Sequence, residues 1–584
     1  MAQNQAEEIV LKIKESLSHS YFKELKNFDK ETTFWIVKNS RYQLLSVFLL
    51  ALFYGLMAYS GVFLAQLARG IVDSAAYDHD VGKVVFFAVL LFGTTVFQIL
   101  MGVLSRVTSF NASTKLEIHL KRGLFETMLK KDYAKVTSFH TGELLNRLTS
   151  DVDVITSSIM SIVPSLVYFL VKLFGILIVL FSIDWRFAIV FVIGGAVIII
   201  FMLLFKGTLK SFHKKSQEAD GNTRSFMQES LSSLLVIKVF NKARRISDEA
   251  TRLQWDAFKI KRKRNYISIA STTGFSIVFA FGYMYGLVWG SFGILAGTLT
   301  YGVLTQILSL ISQIQTPVEG LTSVLPRYYQ ALASAERIME IEKFPDEHAE
   351  DENVHIDLKE LYGKLHSIEF DNITFSYDRD TVLEDTSLSI NKGDFVVITG
   401  ISGIGKSTLT KLLLDVFPVN NGRIYLKLND GSEVNVDRNI RSLFAYVPQG
   451  NFLLSGTIRE NISFVRPDAS DDEIMNAAKI ACADFIDELP DGLDTRLGEK
   501  GMGLSEGQVQ RVAIARAVLC DSPIIILDEA TSALDEPTEI RLLKNFENLK
   551  NKTCILISHK KAANSVCNKE VRIEDKKILV KELK

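Results

Sequence analysis

From Asn265 to Val318 the chain carries no Asp, Glu, Lys or Arg, and this run constrains the fold more than any other feature. Crossing a hydrocarbon core takes about 20 apolar residues in a helix, because each rises about 1.5 Å and every backbone polar group must be satisfied within the segment. The run is far longer than one helix needs, and its glycine-rich stretch from Trp289 to Gly297 is the natural break, which predicts spans over about 266–289 and 298–318. Leu44 to Ala68 lies uncharged between Arg41 and Arg69, and Val84 to Ser105 between Lys83 and Arg106, giving spans over 44–68 and 84–105. Between Val154 and Lys206 the only internal charges are Lys172, Asp184 and Arg186. Asp184-Trp185-Arg186 reads as a polar turn between spans over 156–182 and 187–205. The expectation is six transmembrane helices within residues 41–345, preceded by a cytoplasmic or interfacial segment over 1–40.

Arg106 to Asp153 and Lys206 to Arg264 are long, charged and helix-patterned, whereas the other connections are short, so both long ones belong on one side. The second ends in Lys259, Lys261, Arg262, Lys263 and Arg264, and an excess of Lys and Arg marks the cytoplasmic face. A helical hairpin of that length extends roughly 35 to 40 Å from the membrane. Lys172 breaks the apolar pattern inside the third span, where a charge costs about 2.5 to 3.5 kcal/mol, so it should face a partner or a wet cavity rather than lipid. Pairing with a neighbouring helix, snorkelling and contact with cargo are all open to it.

Composition narrows the class. With 66 Lys and Arg against 67 Asp and Glu, the total charge argues against a nucleic-acid binder, although basic patches can hide behind a neutral total. At 48% hydrophobic, 584 residues suit a membrane part plus a soluble part. Cys482, Cys520, Cys554 and Cys567 form no C-x-x-C pair and read as reduced thiols of a cytosolic domain. The charged first forty residues lack the short apolar region of a secretory signal and are expected to stay inside; Phe22, Phe28 and Trp35 among those charges read as an amphipathic helix on the inner membrane surface.

A second domain, expected over 355–584, holds the chemistry. Phe395 to Thr399 is a short β-branched run, followed at once by Gly400-Ile401-Ser402-Gly403-Ile404-Gly405-Lys406-Ser407-Thr408 opening an apolar-periodic helix. Strand before and helix after is the context of a P-loop. The glycines let backbone amides curl around phosphate oxygens, Lys406 reaches the terminal phosphates, Ser407 is placed to ligate Mg2+, and the helix N-terminus adds partial positive charge. Ile404 is bulkier than usual there, but its N–H is what a phosphate needs. Farther on, Ile524 to Leu527 is a buried-strand run ending in Asp528-Glu529, where Asp528 can hold the magnesium shell and Glu529 can polarise an attacking water.

Between these two elements stands Leu504-Ser505-Glu506-Gly507-Gln508, and with it nearly the whole chain resembles an ABC exporter half-transporter: an α-helical membrane domain with long cytoplasmic extensions, fused to an α/β P-loop ATPase domain. Ser505, Glu506, Gly507 and Gln508 stand at the family's signature, with Glu506 replacing the more frequent glycine. The resemblance implies that Tyr377 stacks on adenine, that Gln449 of Tyr446-Val447-Pro448-Gln449 is the Q-loop glutamine acting in catalysis and at Mg2+, that Asp535 belongs to the D-loop, and that His559 is the switch histidine. His140 to Leu148, with Asp151 and Asp153, resembles the first cytoplasmic loop of exporters, and Asp494 to Gly501, with Glu499, the loop before the signature. The chain stops soon after Ile573, so the C-terminal helix often found in relatives is expected to be short or missing.

In this family ATP is held between the P-loop of one chain and the signature of another, so the resemblance implies a dimer. The intact Glu529 and His559 favour two identical copies over a heterodimer with one degenerate site. Segments near Tyr133 to His140 and Met227 to Val239 would carry nucleotide-driven closure to the spans as alternating access. The expected activity is ATP-driven export or flipping of an amphipathic, lipidic or peptide substrate across the cytoplasmic membrane, with the ATPase in the cytosol. The competing reading is an ATP-gated channel or regulatory membrane protein, which would be expected to show a damaged site and a regulatory insertion. An importer would normally separate membrane and ATPase chains. Drug, lipid, lipid-linked sugar and mature peptide all fit these motifs as cargo; the lack of an N-terminal peptidase disfavours a leader-cleaving peptide exporter.

Overall fold

The computed structural model describes residues 30–347, 357–377, 380–450, 453–498, 501–549 and 551–583; Phe22, Phe28 and Glu499 lie outside them. The chain divides into two compact units, one of residues 1–127 and 141–343, the other of residues 128–140 and 344–584.

The first unit is helical: α1 (Lys30–Ser40), α2 (Leu44–Asp73), α3 (Val81–Lys130, whose last turn belongs to the second unit), then α5 (Thr141–Asn146), α6 (Val152–Ile183), α7 (Trp185–Ser232), α8 (Leu234–Val239), α9 (Ala243–Leu295) and α10 (Tyr301–Glu342); α4 (Tyr133–Thr137) lies in the second unit. Helix α3 has 50 residues, about 75 Å at 1.5 Å per residue, well over twice a hydrocarbon core of about 30 Å. Along it Phe86, Val89, Phe92 and Ile99 all point outward, a surface suited to acyl chains and not to water. Asp184 alone separates α6 from α7. Its extended backbone ends one helix while its carboxylate accepts from Arg186 N at 2.7 Å and Phe187 N at 3.4 Å, capping the next.

The glycine-rich stretch expected to break spans five and six is helical as far as Leu295, and the chain turns at Gly297, with φ of +70°. The reason is packing. A Cβ on Gly286, Gly290 or Gly293 would come within 2.7, 2.6 and 2.5 Å of Ile311, Leu304 and Leu299, so these glycines let α9 lie close on α10 and on the turn before it. Phe187, Ile307, Leu310, Ile311, Ile176 and Leu180 fill the core between α6, α7 and α10. Just before α6, buried Asp151 accepts from Ser334 Oγ at 2.9 Å and Arg337 Nε at 2.8 Å. Buried Arg147 donates to Arg337 O at 2.6 Å and pairs with Glu143 and Glu340, so the loop before α6 is fastened to α10.

The second unit begins at Phe344, ahead of the position expected from sequence, and includes the loop segment 128–140. Asp132 N donates to Pro345 O, Glu347 N to Lys130 O, and Lys131 Nζ to Phe344 O at 2.7 Å. Its strands are β1 (Leu365–Tyr377), β2 (Asp380–Asn391), β3 (Phe395–Thr399), β4 (Asn421–Leu428), β5 (Glu433–Asn435), β6 (Phe444–Val447), β7 (Gly456–Thr457), β8 (Arg496–Leu497), β9 (Ile524–Asp528), β10 (Thr553–Ile557), β11 (Lys569–Glu574) and β12 (Lys577–Glu582). One sheet runs β2-β1-β4-β5, all antiparallel; the other runs β12-β11-β3-β10-β9-β6, parallel except for β12. In β9, Ile524 and Ile526 enter one core and Ile525 and Leu527 the other, which is why the strand reads as an unbroken apolar run. Of the cysteines, Cys482, Cys554 and Cys567 are buried, Cys520 is partly so, and all four are reduced.

Candidate functional site

In a mostly parallel sheet, ligands gather at the carboxyl ends of the strands. Here Ile398 is paired with Ile557 and Ile557 with Asp528, so the residues following β3, β9 and β10 emerge side by side. After β3 the chain turns through Gly400 to Gly405 into the helix Lys406–Leu413. Gly405 has φ of +113°, and a Cβ there would strike Val382 at 2.3 Å, so glycine is required. Ile401, Ser402 and Gly403 are exposed at the loop's rim, while Ile404 leans into the core. Lys406 is buried, and its Nζ donates to Gly400 O and Ile401 O at 3.1 Å each, which holds the loop curled.

Ser407 Oγ donates to Asp528 Oδ1 at 2.9 Å, and Tyr446 Oη donates to Asp528 Oδ2 at 3.0 Å. Burial pushes the Asp528 carboxyl above the usual Asp range, and the two hydroxyls offset part of that rise. Next to it Glu529 sits at φ of +51°, a left-handed conformation that turns its carboxylate out of the strand line. Gln449 Nε2 donates to Glu529 Oε2 at 2.6 Å, and His559 Nε2 lies 3.7 Å from Glu529 Oε1. Lysine, serine hydroxyl, aspartate, glutamine and glutamate thus meet at one spot. Ser407, Asp528 and Gln449 offer oxygen ligands that fit a hard divalent cation such as Mg2+.

Tyr377 closes another side. Its Oη is 3.3 Å from Thr408 Oγ1, and its half-exposed ring meets Phe375 and Phe417 edge-on at 4.9 and 5.5 Å, leaving a face for a base. Phe417 in turn touches Tyr133 of the loop segment, with centroids 5.9 Å apart.

Among the described residues, those of the signature form no hydrogen bonds to the loop. Ser505 and Gln508 make a capping box that starts the helix Glu506–Leu519, Glu506 is exposed, and a Cβ on Gly507 would lie 3.0 Å from Ala533 O. Gln510 ties this helix to the D-loop through Ser532 Oγ at 2.9 Å and Ala533 N at 3.1 Å. Asp535 caps the helix Glu536–Glu547, and the bond from Thr538 holds its carboxyl below the usual range.

Comparison with known proteins gives the same picture. The family described as ABC transporter transmembrane region matches residues 44–318, and that described as ABC transporter matches residues 383–532. An ATP-dependent lipid A-core flippase of Syntrophus aciditrophicus is 31% identical over 444 residues, covering 76% of this chain and 73% of the relative. The chain belongs to the ABC transporters. A flippase of the same description from Salmonella paratyphi A is 28% identical over 533 residues, covering 89% of each chain. A solved structure of a bacterial Atm1-family ABC exporter with ATP bound shares the fold, with a TM-score of 0.76 and 24% identity over 92% of this chain and 94% of that one. This ABC transporter is therefore a half-transporter, a multi-pass membrane protein fused to an ATP-binding and ATP-hydrolysing domain.

Two side chains of the ABC transporter site escape a reading of its motifs. Tyr446 stands three residues before Gln449 yet works through the neighbouring strand, because β6 pairs with β9. Lys560, next to His559, donates to Thr531 O at 2.9 Å and Leu534 O at 2.6 Å, and stands 3.5 Å from Glu539. It fixes the D-loop to the segment bearing the histidine.

Proposed function

We propose that this chain is one half of a homodimeric exporter that moves an amphipathic molecule out across the cytoplasmic membrane by alternating access, with its ATPase in the cytosol. The observation that carries the reading is an asymmetry. Ser407 is bonded to Asp528, Gln449 and His559 stand at the adjacent Glu529, and Lys406 curls the loop before them, whereas Ser505 is taken up by its own capping box and Gly507 lies against Ala533 of the D-loop. A second copy would bring its signature to the open side of that cluster. The tip of the long helical hairpin supports the same reading. Leu231, Leu235, Val239 and Phe240 are each more than two-thirds exposed around α8, an apolar knob suited to a cleft on a partner's ATPase.

In this reading Tyr377 stacks on the adenine, the amides of residues 400–408 and the Lys406 ammonium hold the phosphates, and Ser407, Asp528 and Gln449 hold Mg2+. A magnesium ion held by these residues would supply positive charge against that of the phosphates. Glu529 takes a proton from the attacking water, while Gln449 and His559 fix the carboxylate's orientation. Loss of the terminal phosphate removes the partner's Ser505 and Gly507 contacts and reopens the dimer. Tyr133, packed on Phe417 beside Tyr377, and the α8 tip are the two levers that transmit this to the spans. The names of the relatives support a lipidic cargo.

The test is ATP hydrolysis and ATP-driven lipid transfer between leaflets in proteoliposomes, beside Glu529→Gln. The carboxamide retains an oxygen for Gln449, so ATP binding should persist while turnover falls by about 10² to 10⁴, the worth of general-base assistance. Parental turnover in that variant would remove Glu529 from its role, and hydrolysis without transfer of any amphiphile would remove the exporter reading.

A further inference from the structure

Lys172 is the only charged residue between Val154 and Ile183, in the heart of α6. Its ammonium has three N–H groups but one hydrogen-bond partner among the described residues, Tyr168 Oη at 3.1 Å, one turn back on the same helix. It also lies 5.3 Å from that ring's centroid. No ion pair among the described residues includes it. The acidic groups near the span ends are engaged elsewhere: Asp73 with Arg69 and Gly302 N, Asp184 with the cap of α7, and Glu319 with Gln315.

The surroundings of this lysine are polar by convergence from three helices. Where a side chain on buried Gly61 of α2 would begin, Gln313 Oε1 of α10 lies 3.2 Å away, Gln98 Nε2 of α3 3.8 Å away, and Lys172 Nζ 3.9 Å away. Glycine at this position leaves the polar ends room to meet. Polar side chains at membrane depth are costly unless they meet each other or a polar ligand. A part-buried ammonium with spare donors, an amide N–H beside it and a phenol hydroxyl complements an oxyanion. The Gln313 carbonyl suits a hydroxyl next to that anion. A cation would be repelled, and a neutral ligand would leave the charge unmatched in a medium where charges interact strongly.

We propose that Lys172, with Gln98, Tyr168 and Gln313, binds an anionic group, a phosphate or a carboxylate, of the molecule this transporter moves, which makes its cargo an anionic amphiphile. The inference rests on the exporter reading above for the word cargo, but the site itself stands on this cluster.

The experiment uses the full chain, nucleotide-free, in phosphatidylcholine nanodiscs, and compares equilibrium binding of pyrene-labelled phosphatidic acid with pyrene-labelled phosphatidylcholine of the same tails. The parent should prefer the anionic probe by about tenfold or more, the worth of one charge-assisted hydrogen bond. Lys172→Arg should keep the preference, and Lys172→Met should bind both probes equally. Gln98→Leu, which leaves the charge in place, should reduce the preference by about threefold, and it serves if Lys172→Met does not fold. Displacement of the anionic probe by glycerol 3-phosphate would identify a soluble anion as the ligand, and its failure to displace would identify the lipid. A parent without preference, or a Lys172→Met or Gln98→Leu protein with the parental preference, overturns the proposal. Leaflet transfer in proteoliposomes separates the two readings: selective binding without ATP-driven transfer sinks the exporter and leaves the site, while transfer of phosphatidic acid at parental selectivity in Lys172→Met sinks the site and leaves the exporter.

Discussion

Replacing Lys560 by Met should destabilise the ATPase unit by more than the lysine's own hydrogen bonds are worth, because of the charge it leaves behind. Glu539 is fully buried. One of its oxygens accepts from Thr531 Oγ1 at 2.8 Å, while the other has no hydrogen-bond partner among the described residues and looks across 3.5 Å to the Lys560 ammonium. Removing one partner of a buried ion pair costs about 3 to 5 kcal/mol, since the survivor keeps its desolvation penalty. The Lys560 side chain is 34% exposed, so solvent already screens part of the attraction, and about 2 to 3 kcal/mol is the expected loss. For a unit of this size, that lowers the unfolding temperature by roughly 4 to 12 °C. Adding Glu539→Gln removes the orphaned charge while leaving an acceptor for Thr531, so the double variant should recover to within about 1 kcal/mol of the parent. Calorimetry of the full chain in nanodiscs, following the ATPase transition in the parent and both variants, reads this directly. A single variant melting with the parent, or a double variant as unstable as the single, would show that the pair does not hold the D-loop as its geometry implies.

Burial holds the Asp528 carboxyl above the usual range, so its ionised form, the one that would hold the proposed Mg2+, is lost on acidification earlier than for an ordinary aspartate. ATP affinity measured with Mg2+ from about pH 7.5 to about pH 5 should therefore fall along an acid limb that is missing in EDTA, and Tyr446→Phe, deleting a donor to the carboxylate, should move that limb to still higher pH; equal pH dependence with and without metal would refute it. At the hairpin tip, Leu235→Asp exchanges an apolar contact of about 1.5 to 3 kcal/mol for a charge that resists burial. ATP-driven transport should fall about tenfold or more with ATP binding unaltered, and transport at the parental rate would mean that the knob docks on nothing.

Much of the candidate site is legible because the chemistry proposed for it demands fixed spacing. Backbone amides can wrap phosphate only through a short glycine-rich turn, so Gly400 to Thr408 declares itself, and Asp528-Glu529 follows a strand that is apolar because both its faces are buried. Tyr446 and Lys560 were not legible, since their partners, Asp528 on the next strand and Glu539 across the D-loop, are set by the fold and not by a motif. A lysine beside a histidine reads as a solvated charge until its acceptors are known. Within the stretch from Trp289 to Gly297 the glycines play two parts that the sequence does not separate: a glycine marks a turn when its φ is positive, as at Gly297, and a helix contact when a neighbour occupies the place of its Cβ, as at Gly290 and Gly293. That residues 128–140 pack with the ATPase unit was beyond any linear division of the chain, because the bonds of Lys131 and Asp132 reach to Phe344 and Pro345.

The last span shows how function blurs the hydrophobic signal that first revealed the membrane part. Among the described residues, four helical stretches are long and apolar enough to cross a bilayer by composition, and α10 is not among them. Gln306, Gln313 and Gln315 weaken it. Two of these are not scattered: 306, 309 and 313 follow helical spacing, so Gln306, Ser309 and Gln313 share a face of α10. Gln306 is met by Arg69 of α2, and Gln313 reaches to Gly61 of α2, whereas Ile307, Leu310 and Ile311 pack into the apolar core. Helix α3, which turns phenylalanines and valines outward, keeps its hydropathy high. Gln306 thus answers an arginine, while Gln313 stands beside the Lys172 ammonium, which has no ion pair among the described residues; α10 has been kept less apolar than lipid alone would favour, and a polar ligand received beside Gln313 accounts for that departure.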